Sequence, residues 1–161
     1  MGDFSHLSKT GEAAMVDVSA KTPTARAAVV RGLVRVSADC AARLTEPAAL
    51  EIARTARLAG IQASKQTAQL VPLCHPLPLT GLDLAVALDR DERSFTIEAR
   101  AHTVGVTGVE MEALCAATLA GVTIYDMIKA VDPAATVGPF LLAEKTGGKT
   151  GSWYRDAGAP S

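Results

Sequence analysis

Residues 82–101 read LDLAVALDRDERSFTIEARA. Leu82, Leu84, Val86 and Leu88 alternate with Asp83, Ala85 and Ala87. After the charged run Asp89 to Arg93 the alternation resumes at Phe95, Ile97, Ala99 and Ala101. A period of two sends successive side chains to opposite faces of a strand, so this stretch predicts a β-hairpin with one buried face. Upstream, Ala48 to Leu70 puts Ala49, Ile52, Ala53, Ala56, Ala59, Gly60 and Ala63 on one stripe at i, i+3, i+4 spacing. That predicts a helix with a small-residue face, opened by Pro47 in its first turn and finished before Pro72. Before it, Thr24 to Val36 is small and β-branched with Arg26, Arg31 and Arg35 interspersed, which predicts a strand with one wet face.

Downstream of the hairpin, Thr107-Gly108-Val109-Glu110 matches a capping box. It predicts a helix to about Val131, apolar nearly all round and stopped by Asp132-Pro133. Thr136 to Ala143 predicts a last strand ahead of the glycine cluster at 147–151. Strand, helix, strand, strand, helix, strand is the split β-α-β-β-α-β order of an α+β, ferredoxin-like sandwich, an antiparallel sheet with its helices on one face. The uncovered face, in so Ala- and Val-rich a chain, predicts self-association. Residues 1–14 and 152–161 carry no period and predict loose tails around a single domain with a folded core of about 14–151.

The chain of 161 residues carries 16 Lys+Arg against 17 Asp+Glu, a formal charge of -1, and 4% aromatics. It has neither the field nor the stacking platforms of a nucleic-acid binder. At 48% hydrophobic and 20% charged it is composed as an ordinary globular protein. Cys40, Cys74 and Cys115 are an odd set without close spacing, which fits reduced thiols better than a disulfide framework. The first residues lack a basic and an apolar targeting region, so a cytoplasmic protein is expected. The longest nearly apolar stretch, Ala113 to Tyr125, is too short for the roughly 20 residues of a membrane span.

Four clusters could carry chemistry. In Val71-Pro72-Leu73-Cys74-His75-Pro76-Leu77-Pro78 the prolines freeze an extended backbone that displays a Cys and a His. Neighbours in an extended chain point apart, which argues against a Cys-His dyad, and zinc lacks further ligands at the right spacing. His75 is either a binding or acid-base group or a satisfied core histidine. In Glu110-Met111-Glu112 the capping box accounts for Glu110, whereas Glu112 in a buried first turn needs a cation or a ligand donor. Asp126 and Lys129 share one helix face; exposed they are an ordinary ion pair, but apolar surroundings would bury them and lower the lysine's pKa toward neutrality. Glu144 to Gly151 lacks the first glycine and the following helix of a P-loop. It is either a flexible exit loop or a mobile loop with two lysines that closes on phosphates.

The strings MVDVSAK (Met15 to Lys21), TARLAGIQASKQT (Thr55 to Thr67), LVPLCHPLPLTG (Leu70 to Gly81), TGVEMEAL (Thr107 to Leu114), TIYDMIKAVD (Thr123 to Asp132) and EKTGGKTG (Glu144 to Gly151) stand in this order along the chain. In them the chain resembles the cyclic pyranopterin monophosphate synthase family of molybdenum cofactor biosynthesis. The resemblance implies a ferredoxin-like subunit in a homohexamer, a trimer of dimers with active sites at the dimer interface. It also implies a lyase that rearranges 3',8-cyclo-7,8-dihydroguanosine 5'-triphosphate to cyclic pyranopterin monophosphate and releases pyrophosphate. Asp126 and Lys129 fall on the family's catalytic positions; Leu73, Cys74, His75, Glu110, Met111, Glu112 and Lys65 fall on substrate-binding ones. Arg26 and Lys149 match basic residues that reach the triphosphate from the partner subunit. No metal or other cofactor is required by these residues, and Mg²⁺ could accompany the triphosphate.

The resemblance breaks at one place: where the family carries Lys-Gly-Asp this chain reads Ala49-Leu50-Glu51, and no lysine lies between Lys21 and Lys65. Either another residue such as Arg54 substitutes, or the correspondence shifts locally, in a working enzyme, which is the expectation, or the chain is a catalytically weakened or inactive nucleotide-binding version of the fold. Outside that family the rivals are a non-catalytic ligand-binding module and a purely structural oligomer.

Overall fold

The computed structural model describes residues 4–156. The elements run β1 (Thr24–Arg35), α1 (Ala38–Arg43), α2 (Glu46–Lys65), α3 (Thr67–Leu70), β2 (Leu79–Asp89), β3 (Ser94–Gly105), α4 (Glu110–Ile128), β4 (Thr136–Thr146) and β5 (Trp153–Tyr154). The strands form one antiparallel sheet in the order β2-β3-β1-β4-β5. This is the expected ferredoxin-like α+β arrangement with an extra edge strand.

The hairpin forms as its alternation dictates. Phe95, Ile97, Ala99 and Ala101 of β3 are buried, and with Ala28, Val30 and Val34 of β1 they face α2 and α4. Arg31 and Glu98, opposite one another in the β1–β3 register, pair at 2.7 Å across the other face. The small-residue stripe of α2 does what such a stripe allows. A Cβ on Gly60 would lie 2.6 Å from the Ala116 carbonyl oxygen of α4, so the two helices cross almost backbone to backbone.

Several expectations need correction. The helix predicted over 48–70 breaks at Gln66 into α2 and α3, and the short α1, capped by the Ser37 hydroxyl on the Cys40 amide, carries too little periodicity to be read. The capping box does not form: α4 starts at Glu110 with Val109 as its N-cap and no side-chain cap. The helix ends at Ile128, not Val131. Just beyond it, buried Asp132 accepts the Ser37 amide at 2.6 Å and ties the end of α4 to the start of α1. The last long strand runs on to Thr146. The tail expected over 152–161 contains β5, paired with Glu144 and Lys145, and its end from 157 lies outside the described residues. The tail expected over 1–14 holds a Leu7–Ala13 bridge, residues 1–3 again lying outside the described part. By length and composition α4 could cross a membrane, but here it is a core helix, with Ala113, Ala116, Ala117, Ala120, Gly121, Ile124 and Ile128 buried.

Candidate functional site

The proline-rich loop leaves α3 through a turn closed by the Cys74 amide on the Val71 carbonyl at 3.0 Å. It is anchored at its far end by the Thr103 hydroxyl on the Pro78 carbonyl at 2.7 Å. Between these ties Leu73, Cys74 and His75 face the first turn of α4, and together with Thr107, Gly108, Glu110 and Met111 they line a cavity of about 830 Å³. The remaining wall is the N-terminal segment, including Val16, Val18 and Lys21. Among the described residues the His75 ring makes no hydrogen bond within the chain and is half-buried at the cavity wall, unlike a satisfied core histidine.

Glu112 is on the inner side of α4 and only 2% exposed. Among the described residues no cation pairs with it, which leaves a ligand donor of the two expected partners. Its Oε1 lies 4.0 Å from the Cys74 thiol, and its Oε2 has no partner among the described residues. Burial, seconded by the nearby Glu110 charge and opposed by a backbone hydrogen bond, raises the Glu112 pKa. Burial, then the Glu112 charge and then Cys115, push the Cys74 thiol up to about 11. Cys74 is therefore a neutral thiol at physiological pH, not a nucleophile.

Glu110, freed from capping, pairs with Lys145 of β4 at 3.4 Å. It also borders a second, smaller cavity of about 70 Å³ lined by Arg26, Lys145, Thr146, Gly147 and Thr150. Arg26 is fixed there by its Nε on the Gly105 carbonyl at 3.0 Å and its Nη2 on the Val106 carbonyl at 3.2 Å. Its guanidinium lies where a side chain on Gly148 would have to go, so the glycine at φ +74° serves both the turn and the arginine. Arg26 thus lies beside Glu110 of its own chain. Lys149 is exposed on the same turn, Lys65 ends α2 on the surface, and neither lines the two cavities. Lys145 is legible in the sequence only as one of the two lysines of the 144–151 loop, and Lys21 is missed as a wall residue, since it lies in the MVDVSAK string without a role there.

Asp126 and Lys129 pair at 2.7 Å with side chains 68% and 57% exposed. The expected depression of the lysine is reversed in the single chain: its pKa is raised, first by the hydrogen bond to Asp126 and then by that carboxylate's charge. At 1.5 Å per residue, Asp126 lies about 24 Å along α4 from Glu110. One chain therefore does not bring the acid-base pair to the cavity. Position 49, where the resemblance would put a lysine, is a buried alanine on the core side of α2, and Arg54 is exposed and lines neither cavity. Among the described residues no group of three His, Cys, Asp or Glu side chains could hold a metal ion.

A model of the MoaC family matches residues 15–148. Three curated relatives carry the name cyclic pyranopterin monophosphate synthase. The one from Thermomicrobium roseum is 46% identical over 97% of this chain and 95% of its own. That from Heliobacterium modesticaldum is 48% identical over 97% and 99%, and that from Geobacillus kaustophilus 43% identical over 96% and 98%. The matched span takes in most of the residues that line both cavities, the proline-rich loop and the Asp126–Lys129 pair, and this chain belongs to the MoaC family.

Proposed function

We propose that the chain is a cytoplasmic cyclic pyranopterin monophosphate synthase of molybdenum cofactor biosynthesis, and that each active site is built from two copies. Its reaction is the lyase conversion of (8S)-3',8-cyclo-7,8-dihydroguanosine 5'-triphosphate to cyclic pyranopterin monophosphate and pyrophosphate. The observation that carries the shared site is one face of α4. At 100° per residue Met111, Cys115, Thr118, Val122, Asp126 and Lys129 fall in an arc of about 80°, with Leu119 at its edge. Met111, Leu119 and Val122 are large apolar side chains left exposed there. A row of exposed apolar residues with charged groups at its end is an interface pattern.

Two such faces packed antiparallel about a twofold axis near Leu119 would carry each Asp126–Lys129 pair to the partner's Met111 and its cavity. Loss of water in that interface would then lower the lysine's pKa, opposite to its direction in the single chain, and fit the pair for proton transfer near neutrality. Purine ring opening and closure of the cyclic phosphate need such transfers. The apolar walls around Leu73, Cys74, His75 and Met111 suit the base, while Arg26 and Lys149 take the charge of the departing pyrophosphate. Mg²⁺, where present, is carried by the triphosphate oxygens. Three such dimers would make the hexamer.

The test is conversion of the authentic cyclised nucleotide by the purified protein, with pyrophosphate and pterin product followed in parallel. Both are expected together from the wild type and neither from Lys129→Ala. Nucleotide binding without product in the wild type overturns the proposal.

A further inference from the structure

Between Ile128, the last residue of α4, and Thr136, the first of β4, the chain makes a short turn that carries Lys129. Lys129 is the C-cap of the helix, so the direction in which its side chain leaves depends on that turn. The Lys129 amide donates to the Tyr125 carbonyl at 2.9 Å, and the Val131 and Asp132 amides both donate to the Ile128 carbonyl at 2.9 Å. These bonds belong to the helix end and move with it when it frays.

Asp132 ties the turn to a different part of the molecule. Residues 129–131, 133 and 134 are exposed, whereas Asp132 is 4% exposed, and its Oδ2 accepts the Ser37 amide at 2.6 Å. An anchor made by packing would bury Val131, which is instead 45% exposed. The buried group is a carboxylate, and a charge-assisted hydrogen bond from one fixed amide is directional where apolar contact is not. That amide is well held. Val36, just before it, donates its own amide to the Arg93 carbonyl at 2.9 Å, and the Ser37 hydroxyl accepts the Cys40 amide at 3.2 Å. The turn is thus fastened to the end of the sheet rather than to α4 itself.

We propose that Asp132 is a positioning residue for the reaction, and that its bond to the Ser37 amide fixes the turn from which Lys129 reaches the partner's cavity. This rests on the reading of Lys129 as an acid-base group of a shared site. Proton transfer needs heavy atoms within hydrogen-bond reach, so a shift of the turn by about 1 Å lowers kcat while the walls that bind the nucleotide stay in place. Asp132→Ala lowers kcat by about tenfold or more with KM held within about twofold. Asp132→Asn, whose side-chain oxygen still accepts the Ser37 amide, recovers most of the loss. Thr45→Ala, which removes the cap of α2 and costs stability away from the turn, leaves both constants in place. Amide hydrogen exchange over 129–132, read by mass spectrometry, quickens in Asp132→Ala but not in Asp132→Asn or Thr45→Ala. Wild-type protein without turnover sinks the proposed function, and the exchange rates then decide whether Asp132 holds the turn. Unchanged kcat in folded Asp132→Ala, a loss carried by KM instead, or equal losses in Asp132→Ala and Asp132→Asn overturn the positioning role.

Discussion

The Cys74 thiol lies 4.0 Å from Glu112 Oε1, while the other oxygen of this 2% exposed carboxyl has no partner among the described residues. Such an arrangement favours the protonated acid. With the folded-state pKa raised above the ordinary 4.5, the folded chain holds the proton more tightly than the unfolded one. The group's contribution to stability is then greatest below that value and is lost as pH rises through the folded pKa. Glu112→Gln removes the titration. In a Val122→Glu background, where a carboxylate on the α4 face keeps chains apart, Glu112→Gln should match its parent in Tm near pH 4 and exceed it progressively toward neutral pH. A difference that does not vary with pH contradicts this assignment.

The same pair governs thiol chemistry. With Cys74 pushed from 9.0 to about 11, its thiolate at pH 8 is about a hundredfold scarcer than that of an ordinary cysteine. In the same background, iodoacetamide should modify Cys74 slowly and about tenfold faster per pH unit up to pH 10. Glu112→Gln should speed the reaction, because the carboxylate charge is the second cause of the shift. Peptide mapping by mass spectrometry reads the rate at Cys74 separately from Cys40 and Cys115, and fast labelling at pH 7 contradicts the buried-thiol account.

Gly60→Ala separates packing from helix propensity. In an exposed helix alanine is the better residue by about 1 kcal/mol. Here a Cβ meets the Ala116 carbonyl oxygen at 2.6 Å, a backbone atom that cannot rotate away. The variant should lose about 1–3 kcal/mol in denaturant unfolding. Unchanged or increased stability would mean that α2 and α4 are not in close contact.

What the residues reveal in advance depends on how local the cause is. The 82–101 hairpin and the α2 stripe are legible because their periods are written in consecutive residues. The fate of Glu110 is not, because Lys145, 35 positions away, competes for it and the capping box loses. The six-residue α1 is too short for a period, and the segment at 4–21 is shaped by turns and one bridge that no pattern announces. Asp126 and Lys129 are legible as neighbours on one face but not in their environment. Their exposure in a single chain and the apolar row leading to them point to a second copy, which no spacing within one sequence encodes.

Whether the site is shared can be read from mixed oligomers. His75→Ala and Lys129→Ala, each expected to be inactive alone, are unfolded together and refolded so that chains pair at random. If each site takes His75 from one chain and Lys129 from its partner, half of the dimers are mixed and each holds one intact site, so activity should return to about a quarter of the wild-type value. If each site is complete within one chain, every site carries one lesion or the other, and a mixture as inactive as its parents would contradict the account.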